Sequence, residues 1–173
     1  MAAATWYLWP VVSGDHGDVA VYGGGTIESS IDLLSYQLHD RGRDVRWAAA
    51  GSTWCELAQL DLAVDDAEVV VLAPEATGTC DGDPVANTIS RLGDDVQVVA
   101  VAFGSATTVT SAAEKGSVTV VDPTELLGAQ GTNAMPCEWW DNCVGTIVVR
   151  GDSGELTPAG NERVARLISA AIG

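Results

Sequence analysis

Val19-Ala-Val-Tyr-Gly-Gly-Gly-Thr26 is the stretch on which the fold is read. Val19 to Tyr22 is a short apolar run, and three consecutive glycines end it. Glycine carries no Cβ, so such a run lets the chain turn sharply with its backbone exposed. Beyond the turn, Ile27, Ile31, Leu34 and Leu38 fall on one face at helical spacing. The stretch is therefore a strand-to-helix turn, and the rest of the chain repeats the alternation.

Asp44 to Ala50 reads as a second strand, with Gly51-Ser-Thr opening a short helix through Leu57 and Leu60. Glu68 to Ala73 holds Val-Val-Val-Leu, a β-branched run expected of a strand buried on both faces. Pro84 to Leu92 reads as helix, and Val96 to Phe103 and Val118 to Val121 as two further buried strands with a helical stretch between them. Gly128 to Asp152 is irregular and ends in Thr146–Arg150, an edge strand or an extension. The last helix is the best marked: Thr157 as N-cap, Pro158 at the first position, and Val164, Leu167, Ile168 and Ile172 as the apolar stripe. Alternating β and α units with buried strands predict an α/β three-layer sandwich with a parallel sheet of about five strands. No repeat or linker breaks the chain, so residues 1–173 are expected to form one domain, with 1–17 as an N-terminal extension. In that extension Trp6 and Trp9 read as a docking strand or as core cover.

A chain of 173 residues can bury a core without metal or partner. The net charge is -16 and Lys115 is the only lysine, so the surface repels nucleic-acid phosphates and anionic membranes. Such acidity fits a salt-adapted or a cell-surface protein. No apolar run is long enough to span a bilayer. Met1-Ala-Ala-Ala-Thr-Trp lacks the charged start and long apolar core of a signal peptide, and the chain reads as a mature domain of a longer precursor.

The four cysteines fall into two local groups, Cys55 with Cys80 and Cys137 with Cys143. Three pairings are open to four cysteines, and spacing does not decide among them. Two disulfides in an exported protein is the simplest account, and four free thiols in a cytosolic protein is the other. A Cys55–Cys80 bridge would tie adjacent loops and contribute roughly 3 kcal/mol. No C-x-x-C spacing points to a zinc ribbon or a thiol oxidoreductase.

Ligands of open parallel sheets bind beyond the carboxyl ends of the strands. That places a candidate crevice over Gly23–Thr26, Gly51–Thr53, Glu75–Cys80 and Asp152–Thr157. In these loops the sequence resembles the SGNH (GDSL-type) hydrolases, particularly small disulfide-containing actinobacterial members and extracytoplasmic domains fused to membrane acyltransferases. The likeness runs from about Asp18 to Ile172. Val21-Tyr-Gly-Gly-Gly-Thr-Ile-Glu-Ser-Ser resembles the first block, in which the family has Gly-Asp-Ser. Trp47-Ala-Ala-Ala-Gly-Ser-Thr-Trp-Cys resembles the second, with Gly51 as its glycine. Val69-Val-Val-Leu-Ala-Pro-Glu-Ala-Thr-Gly-Thr-Cys resembles the third, where the family has Gly-x-Asn after the strand. Asp152-Ser-Gly-Glu-Leu-Thr-Pro-Ala-Gly resembles the last, where the family has Asp-x-x-His. The resemblance implies a flavodoxin-like strand order.

Carried over residue by residue, the family's nucleophile falls on Gly25, its asparagine near Ala76 or Thr77, and its histidine on Glu155. Gly51 retains a backbone N–H for an oxyanion and Asp152 retains the acid. A Ser-His-Asp device needs a base within reach of a hydroxyl. The two histidines of the chain, His16 and His39, lie outside the expected loop. The scaffold is thus expected without its triad.

Other motifs in the chain have plainer readings beside the functional ones. Gly151-Asp152-Ser153 is the nucleophile motif displaced to the last loop, and equally a tight turn. Arg150-Gly151-Asp152 spells an adhesion tripeptide at a strand-to-turn junction. The Gly23–Glu28 turn lacks the third glycine of a dinucleotide fingerprint and the lysine of a P-loop. Asp15-His16-Gly-Asp18 and Asp81-Gly-Asp83 are too short for a calcium loop, and no metal or cofactor is expected. Cys137-Glu-Trp-Trp-Asp-Asn-Cys143, if its cysteines pair, would display Trp139 and Trp140 on a stiff loop, at the crevice rim or packed over the core edge.

The expected function is an exported, catalytically degenerate SGNH-like domain acting as a binding module. By resemblance its ligand is a cell-envelope carbohydrate or acylated glycan, held by Gly23, Gly24, Gly25, Thr26, Gly51, Glu75, Thr77 and Glu155. One alternative is an active acyl-ester hydrolase or acyltransferase with Thr26, Ser52 or Ser153 as nucleophile and Glu155 or Glu75 as base. The other is a structural subunit of a surface assembly, with a protein partner and no ligand.

Overall fold

The computed structural model describes residues 18–48, 50–62, 64, 66–103, 109–110, 118–129 and 131–173. Five parallel strands form the main sheet in the order β2-β1-β3-β4-β5: β1 Val19–Gly23, β2 Val45–Ala48, β3 Val69–Ala73, β4 Gln97–Val101 and β5 Val118–Val121. This is the flavodoxin-like order, and the direction in which strands are added to the sheet reverses between β1 and β3. A second, two-stranded antiparallel ribbon pairs β6 (Ala134–Pro136) with β7 (Thr146–Val148).

All five residues of β1 and all five of β3 are buried, which is why their sequences are apolar without alternation. Their alternate side chains face two cores. Val19 and Val21, with Val69, Val71, Val99 and Val101, pack under the helices of residues 25–39 and the last helix, Pro158–Ile172. Ala20 and Tyr22, with Val70, Leu72, Val98 and Ala100, pack against Trp54 and Leu57 of the helix Trp54–Leu57 and Val85 of the helix Pro84–Ser90. The three layers and the parallel sheet are as the sequence predicts.

Four expectations are corrected. Val118–Val121 is an edge strand with only Val121 buried, because it lies last in the sheet. The segment Ile27–Leu38 is two helices, Gly25–Glu28 and Ile31–His39, broken at Ser29-Ser30. The predicted second strand is shorter, and the helix after Gly51 ends at Leu57, before Leu60. The expected helical stretch before β5 lies largely, and the extension 1–17 wholly, outside the described residues. Among the described residues no helix is long and apolar enough to cross a membrane.

Candidate ligand crevice at the carboxyl edge of the sheet

The three glycines after β1 meet three different surroundings. A Cβ on Gly23 would lie 2.5 Å from the carbonyl oxygen of Ala73 on the neighbouring strand, so this glycine lets β1 and β3 close. A Cβ on Gly24 would lie 3.1 Å from the Glu75 carboxyl. Gly25 is open: its nearest neighbour would be Glu75 Oε1 at 3.9 Å. Above this turn the Glu75 carboxylate accepts the Thr26 backbone N–H at 2.5 Å. A carboxylate at the first turn of a helix satisfies an orphan N–H and meets the positive end of the helix dipole. The position that carries a serine in the resembled family thus carries no side chain, and a carboxylate from the loop after β3 overhangs it.

Glu75 is placed by its own neighbours. Its N–H donates to the Ser52 carbonyl, Trp54 N–H to Ala76, and Cys55 N–H to Thr77. Thr53 and Ala76 form a parallel bridge. The Cys55–Cys80 disulfide closes the same pair of loops, with Cα atoms 5.8 Å apart. Thr53 caps the helix through a reciprocal capping box with Glu56. Gly51 has φ +86°, and a Cβ there would fall 2.1 Å from Leu57 Cδ2, so the position admits glycine alone. The loops after β1, β2 and β3 are therefore joined, bringing Gly23–Thr26, Gly51, Ser52, Glu75 and Thr77 to one edge of the sheet.

The fourth loop is tied in from the side. Ser29 and Ser30 hydroxyls donate to Asn161 Oδ1 at 2.8 and 3.2 Å, which fastens the first turn of the last helix to the end of the helix Gly25–Glu28. Thr157 caps that last helix by accepting the Gly160 N–H. Gly160 packs where a Cβ would lie 2.2 Å from the Val149 carbonyl. Within the loop Ser153 Oγ donates to the Glu155 carboxylate, and Asp152 is exposed beside them. The Glu155 carboxylate lies over Gly151, where a Cβ would be 2.1 Å from Oε1. The Ser153 hydroxyl, helped by backbone N–H groups, holds the Glu155 carboxyl below its ordinary value. That makes it a weaker proton acceptor than a free glutamate.

His39 stands at the other edge of the sheet, 3.7 Å from Asp44, the residue that precedes β2. It stands at the amino ends of the strands, whereas Thr26 follows the carboxyl end of β1; His16 lies outside the described residues. Asp18 accepts from Arg43 and from the Asp44 N–H, and Asp83 caps the helix Pro84–Ser90, so both carboxylates carry structural hydrogen bonds. Among the described residues no three His, Cys, Asp or Glu side chains are grouped to hold a metal ion. Arg150 of the Arg-Gly-Asp triplet reaches back to the Gly154 carbonyl at 3.4 Å.

The second disulfide, Cys137–Cys143, closes a loop between β6 and β7. The loop sits on the flank of the last helix. Asp141 pairs with Arg163, side chains 4% and 1% exposed, and Arg163 also donates to the Leu126 and Pro136 carbonyls. Burial raises the Asp141 carboxyl, but the Glu138 N–H and the Arg163 and Arg166 guanidiniums more than offset it and leave it below its ordinary value. Trp140 lies under Arg166, 5.7 Å from ring centre to guanidinium, and Trp139 stands edge-on to it at 5.4 Å. Sequence reasoning missed Asn161, Asp141 and Arg163. The one available signal was Arg163, a charge one position from the apolar stripe of the last helix.

No protein-family model and no curated protein sequence matches the chain. A solved structure does: the C-terminal catalytic domain of Streptococcus pneumoniae peptidoglycan O-acetyltransferase A (OatA), bearing a methylsulfonyl adduct. The similarity has a TM-score of 0.58 at 14% identity and covers 92% of this chain and 94% of that one. At that identity the two share a fold.

Proposed function

We propose that this chain is an exported, non-hydrolytic recognition domain for cell-envelope glycan. The observation that carries the reading is the Glu75 carboxylate, held by the Thr26 N–H over the side-chain-free Gly24 and Gly25. A hydrolase of the resembled family needs a hydroxyl there and an imidazole within reach. The crevice offers instead a fixed acceptor among small residues, suited to a ligand hydroxyl or amine. Two disulfides support an oxidising compartment. The choice of glycan rests on fold-level analogy with a neighbour whose name gives it peptidoglycan O-acetyl transfer.

A second reading has its own observation. Ser153 and Glu155 are hydrogen-bonded, as a displaced nucleophile and base would be. Its weakness is the lowered Glu155 pKa, since a general base works best when its pKa lies near the working pH. Incubation with O-acetylated cell-wall glycan separates the two. Retention without acetate release is expected. Acetate release that disappears in Ser153→Ala would replace the first reading by the second, and neither retention nor release would leave the domain as an assembly subunit.

A further inference from the structure

We propose that the Cys137–Cys143 loop is a preformed stacking platform for a neutral pyranose ring, with the Trp139 indole as its contact face. The proposal deepens the glycan reading above and rests on it. Trp139 is 87% exposed, an unusual position for the largest apolar side chain. The rest of its loop is fixed. The disulfide closes it, Cys137 N–H donates to the Gly145 carbonyl, Glu138 and Asp141 exchange backbone-directed hydrogen bonds, and Cys143 N–H donates to Asp141. Asp141 is anchored to the buried Arg163, and Trp140 fixes the edge of Trp139 from beneath. A loop already ordered loses little conformational freedom when a ligand binds, which is what makes an exposed aromatic effective.

The chemistry around the ring favours a sugar over a protein. Stable protein interfaces need about 800 Å² per partner around a cluster of anchors. Here the loop exposes one aromatic, Trp139, and one small apolar side chain, Val144, and it also carries Glu138 and Asn142, whose planar polar groups accept and donate to hydroxyls. Arg166, the cation over Trp140, is already bound to Glu162. A pyranose presents an apolar C–H face to an indole and hydroxyls at its margin. Glu138 and the chain's net charge of -16 set neutral glycans above anionic ones.

The test titrates the full chain with the neutral β-1,4-linked tetramer of N-acetylglucosamine by calorimetry, comparing wild type, Trp139→Ala and Trp139→Tyr. Because Trp139 is exposed, both variants are expected to melt with the wild type. The expected result is a loss of about tenfold in affinity for Trp139→Ala and a smaller loss for Trp139→Tyr. Trp139→Ala binding like the wild type, or a wild type held on whole cell-wall glycan yet indifferent to the tetramer, overturns the platform and leaves the glycan reading standing. A wild type that binds neither overturns both. Concentration-dependent self-association abolished in Trp139→Ala would make the surface a contact between copies and also overturn the platform.

Discussion

Glu75 and Thr26, 49 residues apart, are joined by a 2.5 Å hydrogen bond from the Thr26 backbone N–H to the Glu75 carboxylate. The bond exists because β1 and β3 are neighbours in register, Gly23 opposite Ala73, so the loops that follow them start side by side. It lies at the place where ligands of this strand order bind. The first prediction concerns that place. Gly25→Ser should be accommodated, since only Glu75 Oε1 lies within 4 Å of a Cβ there, with stability changed by no more than about 1 kcal/mol. A hydroxyl alone supplies no base, so ester turnover should stay at background. Denaturation and p-nitrophenyl acetate assays on the variant check both statements.

Gly51→Ala should behave differently. It forces a Cβ into φ +86° and onto Leu57, a strain and an overlap that together cost about 2–4 kcal/mol. Gly93→Ala is the control, because its φ is +78° with nothing within 4 Å. It should lose only the left-handed penalty of about 1–2 kcal/mol. Equal losses in urea denaturation would contradict the packing described at Gly51.

Asp141→Asn leaves Arg163 buried without its counter-charge, and should destabilise the domain by about 3–5 kcal/mol. The pair also sets an acid limit. Asp141 has a folded pKa below its unfolded one, so its contribution is complete above the ordinary carboxylate value near 3.8 and is lost as pH falls through the folded value. Wild-type stability should therefore fall in acid below about pH 4, and the part of that fall due to this pair should vanish in Asp141→Asn. Melting curves between pH 2 and 7 measure it.

The two disulfides should differ in worth. Cys55–Cys80 spans 25 residues and Cys137–Cys143 spans 6, so loop-closure entropy assigns about 3.5 and about 2.2 kcal/mol respectively. Replacing each pair by alanine and measuring urea midpoints should give that order. A larger loss at the shorter loop would show that the bridge also holds the Asp141–Arg163 pair in place.

The central strands were legible because β-branched runs buried on both faces leave an unbroken apolar signature, as in Val69–Ala73. Position within the sheet left no such mark. Val118–Val121 is as rich in valine as a central strand, and only its place after β4 makes it an edge. The helix break was hidden for a related reason. Ile27, Ile31, Leu34 and Leu38 keep helical spacing across it and are all buried, while Ser29 and Ser30 turn their hydroxyls to the Thr26 carbonyl and to Asn161. At the crevice the residues were named from the loops, but the hold of Glu75 on Thr26 needed the strand order. The Asp141–Arg163 pair joins segments 22 residues apart, and its one local sign is Arg163, a charge beside the apolar stripe of the last helix.

Labelling with a fluorophosphonate serine probe, followed by intact mass and peptide mapping, tests the central claim most directly. The account predicts no adduct on folded protein, under conditions in which a competent serine hydrolase labels fully. A stoichiometric adduct on Thr26, Ser52 or Ser153 would contradict it and identify a relocated nucleophile.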